Sequence, residues 1–425
     1  MKTWIDLFSK QVQSPTDVAS VVLLRIVFGL LMFWGIMSDF YAGWVSELYA
    51  KPQFHFQYEW FQWLKPLPEE WMYLLFGSLA VLSLMVTLGL FYRMSALLFF
   101  LGYTYIFLIE RTTYNNHFYL ICLLSFILTL APLHRSWSLD VLRGAVAHTD
   151  QLPALWLWLF RFHIGVVYFY GGIAKLDHDW LNGFATRKLM GIANQGTILE
   201  SLMDYAWAPY IYAWSGLLFD LSIPFLMLWK TTRNVAFLSA IIFHTNNYFV
   251  FSIGIFPMLA LTLTIIYYDA GFPRKIVPKK IKQWVSREYR KRLPERSRSM
   301  SSVQGQAHPF LLIFLGIYIF IQLLLPLRHL TYPGWTTWHE EGHDFAWRMM
   351  LRQKKSTMQF NVTHPVTGEQ RYADAADYLN IVQLRFMGNP RTMLQFVHHL
   401  DHLVQSNAGF DPIITAKIEV SLNGR

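Results

Sequence analysis

Charged residues are scarce in this chain. Asp, Glu, Lys and Arg make up 15% of its 425 residues, whereas they supply about a quarter of an ordinary soluble domain. Hydrophobic residues reach 54%, and apolar stretches recur from Val18 to Leu325 at lengths near the roughly 20 residues that cross a bilayer core. The composition argues against a soluble globule and predicts a multi-pass α-helical membrane protein.

Cysteine and a cleavable leader are also lacking. Cys122 is the only cysteine, so no intrachain disulfide can form and cysteine usage does not identify the compartment. The N-terminal region lacks the basic start, short apolar core and small-residue cleavage site that mark a secretory signal. Val18 to Ile36 is therefore expected to be retained as a membrane helix.

About nine stretches are predicted to cross the membrane, because each is apolar and close to the length that a spanning helix needs. The short turn at Ser252 could instead be a re-entrant break, which would change the count. The predicted spans are Val18 to Met37, Trp71 to Phe91, Met94 to Ile109, Asn116 to Ala131, Leu155 to Lys175, Tyr210 to Trp229, Val235 to Val250, Ile253 to Tyr268 and Phe310 to Pro326.

Positive charge is concentrated between the last two predicted spans. The formal net charge is +9, and Pro273 to Arg298 holds eleven Lys or Arg against two Glu, which accounts for this excess. A basic run beside an apolar helix is typical of a cytoplasmic loop near anionic lipids rather than of a nucleic-acid site. The basic loop 270–308 is therefore placed inside. Arg187 and Lys188 are exceptions to this positive-inside pattern, because the same topology places them outside.

The composition changes after the last span, which predicts a transmembrane catalytic domain over residues 1–329 and an outer or lumenal soluble domain over 330–425. Alternating apolar residues from Met358 to Val362 predict a strand, and Pro390 is well placed to start a helix. Alternation from Ile414 to Leu422 predicts a final strand. The outer domain is therefore expected to be a small, β-rich α+β domain.

Six ionisable side chains fall in the predicted spans, where a charge near the bilayer centre costs about 2.5–3.5 kcal/mol and marks a functional candidate unless a partner is found. We interpret Arg25, Arg161 and Asp220 as ion pairs between helices or as snorkelling side chains. The remaining three are Lys175, His117 and His244.

Lys175 ends the fifth predicted span and is followed by Leu176 and Asp177. Burial disfavours an ammonium ion, so a lysine at a dry helix end can supply a neutral amine that acts as a base. The alternative is a lysine that snorkels to the surface and pairs with Asp177 or Asp179. Spacing alone does not decide between them.

Three predicted spans bring polar side chains to the same outer membrane depth. Asn116 and His117 start the fourth span, Lys175 ends the fifth, and His244 and Asn247 lie toward the outer end of the seventh. A helix-end histidine is commonly an interfacial residue with satisfied hydrogen bonds, but three such clusters at one level predict a lined polar pocket. A transporter or proton relay would use buried ionisable residues of the same kind.

Six short motifs lie along the chain in order. They are Thr112-Thr113-Tyr114-Asn115-Asn116-His117, Val167-Tyr168-Phe169 followed by Lys175-Leu176-Asp177, Phe251-Ser252-Ile253-Gly254-Ile255-Phe256, Phe345-Ala346-Trp347-Arg348-Met349-Met350, Thr367-Gly368-Glu369 and Val420-Ser421-Leu422-Asn423. Through these motifs the sequence resembles the vitamin K-dependent gamma-glutamyl carboxylase family, with an HTTM-type membrane domain. Ala174 stands where animal members have a second lysine, and Cys122 alone cannot form their disulfide. The resemblance is thus to a member from outside animals.

The resemblance implies conversion of glutamate in a protein or peptide to gamma-carboxyglutamate, coupled to oxygenation of vitamin K hydroquinone, drawn from the membrane lipid, to its 2,3-epoxide. O2 and CO2 are the implied co-substrates, and no metal is implied. Lys175 matches the family's initiating base, and His117 matches a histidine implied to support the oxygenated intermediate. Asn116, His244 and Asn247 match substrate-binding pocket positions. The site would face the extracytoplasmic or ER-lumenal side, and the outer domain would bind the peptide.

Two other enzyme classes stay open. A vitamin K epoxidase without peptide carboxylation would use Lys175 and His117 in the same way. The segment 339–343 reads His-Glu-Glu-Gly-His and fits the H-E-x-x-H pattern of zinc proteases. Gly342 weakens the helix that this pattern needs, however, and so short a pattern also arises by chance.

Overall fold

A computed structural model gives the structure of residues 10–196, 201, 204–251, 254–278, 280, 289, 291, 293–294 and 307–425. Helices make up most of this part of the chain, and a three-stranded sheet lies near its C-terminal end. Much of the basic loop 270–308 lies outside the described residues, as does Ile253 at the predicted start of the eighth span.

The helices before the outer domain follow the predicted spans closely. Each of the nine predicted spans overlaps a described helix, and the longest helix among the described residues between the fifth and sixth spans is Phe184–Ala193. The helices are α1 (Ala19–Tyr41), α2 (Glu69–Leu88), α3 (Tyr92–Ile109), α4 (Asn116–Leu130), α5 (Leu155–Ala174), α6 (Phe184–Ala193), α7 (Ala208–Leu226), α8 (Arg233–Phe251), α9 (Phe256–Ile265) and α10 (Pro309–Leu324). Short helices at Leu139–Leu142, His178–Leu181 and Phe272–Ile276 lie in the connections, and β1 (Pro15–Asp17) pairs antiparallel with β2 (Gln151–Pro153).

Not every predicted span has the length of a membrane crossing. By length and composition, five described helices could cross a membrane, namely α1, α2, α3, α5 and Pro309–Thr331, which extends α10. α4 has 15 residues and α9 has 10, so at 1.5 Å per residue both are shorter than a hydrocarbon core of about 30 Å. The predicted count of nine spanning helices is therefore not confirmed.

Two arginines, Arg25, which is fully buried, and Arg161, which is half-buried, donate hydrogen bonds to carbonyl groups near helix ends. Arg25 of α1 donates hydrogen bonds to the carbonyl oxygens of Leu133, at 3.3 Å, and Trp137, at 2.5 Å, in the loop after α4. Arg161 of α5 donates to the carbonyl oxygens of Ile266, at 2.8 Å, and Tyr268, at 2.9 Å, just beyond α9. Helix ends leave carbonyl groups without intrahelical partners. Within the described part of the chain, both arginines therefore bind carbonyl groups and not the carboxylates of the predicted ion pairs.

The outer domain combines an antiparallel sheet with one long helix. The ring centroid of Phe396 in this helix lies 5.1 Å from that of Phe360 in the central strand. Asn389 caps the helix by accepting hydrogen bonds from the backbone N–H groups that follow it. The sheet order is β4 (Gln370–Ala373), β3 (Lys354–Thr363), β5 (Ile413–Leu422), with helices at Thr336–His339, Ile381–Phe386 and α11 (Pro390–Ala408). The two predicted strands and the predicted helix at Pro390 are confirmed.

The H-E-x-x-H segment does not form a continuous helix. The short helix Thr336–His339 ends immediately before Glu340, which has a left-handed φ of +65°. The carboxylate of Glu340 accepts hydrogen bonds from Arg352 and Asn389, both at 2.7 Å, and pairs with Lys354 at 2.8 Å. The segment therefore lacks the helical spacing of a zinc protease, and its glutamate binds the core of the outer domain.

The charges around Glu340 set its protonation. Burial alone would raise the pKa of this carboxyl, but the charge and hydrogen bonds of Arg352, together with the charge of Lys354, lower the pKa well below its usual range. Burial and the Arg352 charge hold the pKa of His343 well below its usual value. His343 is therefore neutral and accepts a hydrogen bond from Arg352 at Nε2.

The predicted topology has a direct test in cells. A reporter fused after Ser299 is expected to report the inside, and one fused after Arg425 the outside, because the basic loop cannot easily cross the membrane. Two reporters, one active only inside and one active only outside, measure the side on which each position lies. Both fusions on one side would contradict a membrane crossing between the basic loop and the outer domain, and with it the nine predicted spans.

Glu340→Gln is expected to destabilise the outer domain at pH 7 by about 3–5 kcal/mol, because it leaves Arg352 and Lys354 buried without their counter-ion. A carboxyl whose pKa is lowered on folding stabilises fully above its unfolded pKa of about 4.3, and this stabilisation is lost as the pH falls below that value. Denaturant unfolding monitored by proteolysis should therefore show a large difference in stability between wild type and variant at pH 7 and a smaller difference at pH 3. Glu369→Gln, at an exposed pair with Arg371, is the control, and an equal gap at both pH values would contradict the pairing.

Candidate active site beneath the outer domain

Lys175 lies at the C-terminal end of α5 with its amine buried. Its Nζ atom lies 2.6 Å from Oδ2 of Asp220 on α7, and the side chains of both residues are about 95% buried. The ring centroid of Trp180 lies 5.2 Å from the same Nζ atom. The predicted alternative, a lysine that snorkels and pairs with Asp177 or Asp179, is therefore wrong, because the ion pair is formed across two helices inside the protein.

Two glycines allow this pair to form. A Cβ atom on Gly172 would lie 2.6 Å from Cδ2 of Leu221 and 3.0 Å from its backbone nitrogen, so only a glycine lets α5 and α7 approach this closely. A Cβ atom on Gly171 would lie 3.4 Å from Oδ2 of Asp220 and 3.0 Å from Cε of Met349 in the outer domain. The glycines therefore bring the lysine, the aspartate and the outer domain together.

Asp177 attaches the outer domain two residues after Lys175. Its Oδ2 atom accepts hydrogen bonds from Nε1 of Trp335, at 2.7 Å, and Oγ1 of Thr337, at 2.6 Å. The guanidinium of Arg348 lies 3.8 Å from the same oxygen. The chain that follows α10 is thereby fixed over the outer end of α5.

Asp179 forms a second attachment, to the end of the last strand. This buried carboxylate accepts a hydrogen bond from Nδ2 of Asn423 at 2.9 Å and another from the guanidinium of Arg425. Asn423 also accepts a hydrogen bond from the backbone of Gln353, at the start of β3. Residues 177 and 179 thus bind both ends of the outer domain to the same short segment after Lys175.

His117 and His244 both contact one aromatic ring, that of Phe256. The imidazole of His117 stacks against Phe256 of α9 at 5.6 Å, and His244 meets the same ring edge-on at 6.2 Å. The Tyr168 hydroxyl lies 2.6 Å from Nε2 of His244 and 3.3 Å from Oγ1 of Thr264. The Nδ1 atom of His244 is buried without a hydrogen-bond partner among the described residues.

Tyr168 connects this histidine cluster to the lysine. Seven residues separate Tyr168 from Lys175, so the two side chains lie on one face of α5, two turns or about 10 Å apart. The ring of Phe219, which precedes Asp220, contacts both Tyr168, at 5.7 Å, and His244, at 6.2 Å. Tyr168 and Lys175 thus lie on one face of α5, with the histidine cluster at one end and the buried ion pair at the other.

Asn116 and Asn247 lie apart from these contacts. Asn116 donates a hydrogen bond to the carbonyl oxygen of Arg348, at 3.3 Å, and accepts one from the Tyr114 hydroxyl, at 3.1 Å. Asn247 is half-buried on α8, three residues after His244. Among the described contacts, neither asparagine touches Lys175. Asn116 therefore holds the outer domain, and its predicted substrate contact stays a prediction, as does that of Asn247.

The outer-domain segment 345–350 covers this region in a strained conformation. Phe345, Trp347 and Met350 have φ angles of +62°, +56° and +58°, and such non-glycine residues cost about 1–3 kcal/mol each and cluster at functional sites. The Trp347 ring is fully buried 5.0 Å from Tyr119, and its Nε1 atom has no hydrogen-bond partner in the described structure. Surrounding contacts must hold this segment in place.

The sequence did not identify Asp220 as the partner of Lys175, nor Tyr168 as the partner of His244. A signal for the first was present, because an acid and a base buried in membrane helices are expected to pair with one another. No comparable signal marked Tyr168, because a buried tyrosine needs a hydrogen-bond partner of any kind. The pairing depends on how α5, α7 and α8 pack.

Known families match both parts of the chain. A family model described as the HTTM domain matches residues 13–271, more than half of the chain, and includes α1 to α9 with the ion pair and both histidines. A second model, described as the lumenal domain of vitamin K-dependent gamma-carboxylase, matches residues 307–425. No solved structure matches the chain. These two matches, in this order along one sequence, place the chain in the vitamin K-dependent gamma-carboxylase family.

Proposed function

We propose that this protein converts peptide glutamate to gamma-carboxyglutamate, coupled to oxygenation of vitamin K hydroquinone to its 2,3-epoxide, with O2 and CO2 as co-substrates. The observation that carries the proposal is the amine of Lys175, buried beside Asp220 beneath the outer domain of a carboxylase-family chain. This position lies between apolar helices, where a lipid-soluble quinone arrives, and an outer domain, where a protein substrate arrives. The active site then faces the extracytoplasmic or lumenal side.

The histidine cluster fits a hydroquinone. Phe256 and Phe219 offer ring faces and edges that suit an aromatic ligand. The buried Nδ1 atom of His244 has no partner among the described residues and can bind a hydroxyl group. His117 adds a second imidazole on the Phe256 ring. When bound, reduced vitamin K supplies through its oxygenation the basicity that a weak carbon acid such as glutamate requires.

Lys175 acts as the initiating base and Asp220 as its positioning residue. Two opposite charges buried side by side have lost their hydration, and transfer of one proton across the 2.6 Å contact neutralises both without changing the net charge. The Nζ atom then has a free lone pair that can accept the proton of an acidic hydroxyl. The ammonium formed in this way faces the new anion and stays hydrogen-bonded to Asp220.

The outer domain keeps water away from this chemistry. Asp177 fixes Trp335, Thr337 and Arg348 over the end of α5, and Trp347 fills the space beside α4. Exclusion of water protects a strongly basic species from quenching and strengthens every charge interaction inside the site.

A vitamin K epoxidase without peptide carboxylation would share the lysine step. Incubation with hydroquinone, labelled CO2 and a glutamate peptide separates the two activities.

Lys175→Ala is expected to lose epoxidation and carboxylation together by about 100-fold or more, because general-base catalysis contributes roughly 10²–10⁴-fold. Small amines added to the purified variant should restore both activities in proportion to the concentration of neutral amine, since only the unprotonated form accepts a proton. Steady-state rates across amines of rising basicity measure this dependence. Restoration that ignores amine basicity, or specific activity near wild type in Lys175→Met, would contradict a base at this position.

A charge-free variant separates catalysis from stability. Lys175→Met alone leaves Asp220 buried without a partner and is expected to lower the thermal midpoint strongly, whereas Lys175→Met with Asp220→Leu removes both charges and should recover much of the loss. Because the base is gone, the double variant should remain inactive despite its restored stability. A stable and active double variant would show that the pair serves only to hold α5 against α7.

A further inference from the structure

Three cations occur where α6 meets the end of the outer domain, and we name them the outer cationic patch: Arg187 and its neighbour Lys188 on α6, and Arg425. Arg187 is exposed and Lys188 is half-buried on α6, while the Arg425 guanidinium is half exposed and lies 4.5 Å above the ring of Phe184. A Cβ atom on Gly424 would lie 3.7 Å from Nζ of Lys188. The patch therefore joins α6 to the end of the outer domain.

The charge of this patch is only partly compensated. Asp179 binds Arg425, but Arg187 and Lys188 form no ion pair with any residue in the described ranges, so an excess of about two positive charges faces solvent. These two residues also depart from the positive-inside pattern, which disfavours cations outside. The proximity of Lys188 to Gly424 of the outer domain explains the side on which these two residues lie but not their charge.

We propose that the outer cationic patch binds an acidic stretch of the peptide substrate next to the glutamate that enters the site. This inference rests on the proposed function and adds a reason for peptide selection. Asp179, which holds Arg425, follows Lys175 by four residues, so a peptide bound at the patch has its neighbouring residues close to the covered end of α5. A glutamate-rich segment is strongly negative at neutral pH, and complementary charge accelerates encounter and selects the partner.

An anionic lipid surface is the competing partner and is less suited to this position. The anionic lipids that attract basic segments lie in the cytoplasmic leaflet, whereas the patch includes a residue of the outer domain. Arg425 also reaches the patch from the outer domain, where it follows β5.

The test uses the full-length protein in nanodiscs of neutral lipid and two acceptor peptides, one with its glutamate followed by six Asp and one with six Asn. For wild type, the KM of the Asp peptide should be about three- to tenfold lower, as two exposed ion pairs allow, and the advantage should disappear at high salt. Arg187→Gln with Lys188→Gln should remove the difference while the kcat and the KM of the Asn peptide stay unchanged. Arg371→Gln with Lys417→Gln, which removes two exposed cations elsewhere on the outer domain, is the matched control and should keep the advantage.

A binding measurement separates failure of this inference from failure of the enzymatic proposal. Fluorescence anisotropy of a dye-labelled peptide of ten Asp, which contains no glutamate, should show salt-sensitive binding to wild type that the Arg187→Gln, Lys188→Gln variant loses. Equal KM values for both acceptor peptides in wild type would overturn the patch while leaving carboxylation established. A second outcome would also overturn it. If the variant in its neutral nanodisc still binds the peptide but no longer associates with added nanodiscs of anionic lipid, the patch binds lipid.

Discussion

The contact between Lys175 and Asp220 is the constraint on which the rest of the structure depends. A buried ion pair repays the hydration that its charges lose only where its geometry is close and its remaining hydrogen bonds are satisfied. Gly172 supplies the close approach of α5 and α7, and the outer domain supplies the dry cover. Under the proposed function, the helical bundle and the soluble domain are therefore two parts of one site.

A short acidic segment after Lys175 attaches the outer domain to the helical bundle. Asp177 and Asp179 follow the lysine directly, and each binds a different end of the outer domain. The buried lysine and the two carboxylates that attach the outer domain therefore lie within five consecutive residues. A substitution in this segment would change both the attachment of the outer domain and the proposed chemistry. Comparison with the variant that lacks both charges, at positions 175 and 220, separates the two effects.

The sequence predicted the elements better than it predicted their contacts. Helix positions, the strand from Met358 and the helix at Pro390 follow from periodicity and capping, which are local. The pairing of Lys175 with a residue 45 positions later is a tertiary fact that no local pattern carries. The predicted partners, Asp177 and Asp179, were the nearest acids in sequence, but both turn toward the outer domain.

The predicted count of nine spanning helices is not confirmed, for a related reason. Apolar runs identify buried helices equally well whether their surroundings are lipid or protein, and α4 and α9 are apolar helices enclosed in the bundle rather than long enough to cross it alone. Asn116 shows the limit of local patterns at a candidate site residue. Its position at a helix start indicated an outer membrane depth, but no local pattern indicated that its amide binds the backbone of the outer domain.

The attachment of the last strand to Asp179 has a consequence for biosynthesis. Lys175 enters the membrane with α5, but Asn423 and Arg425, which complete its cover, are synthesised roughly 250 residues later, or about 10–50 seconds at ordinary elongation rates. Throughout that interval the amine and its carboxylate lack their shelter from water. Under the proposed function, oxygenation of the quinone would therefore wait until the outer domain of the same chain has been made and docked.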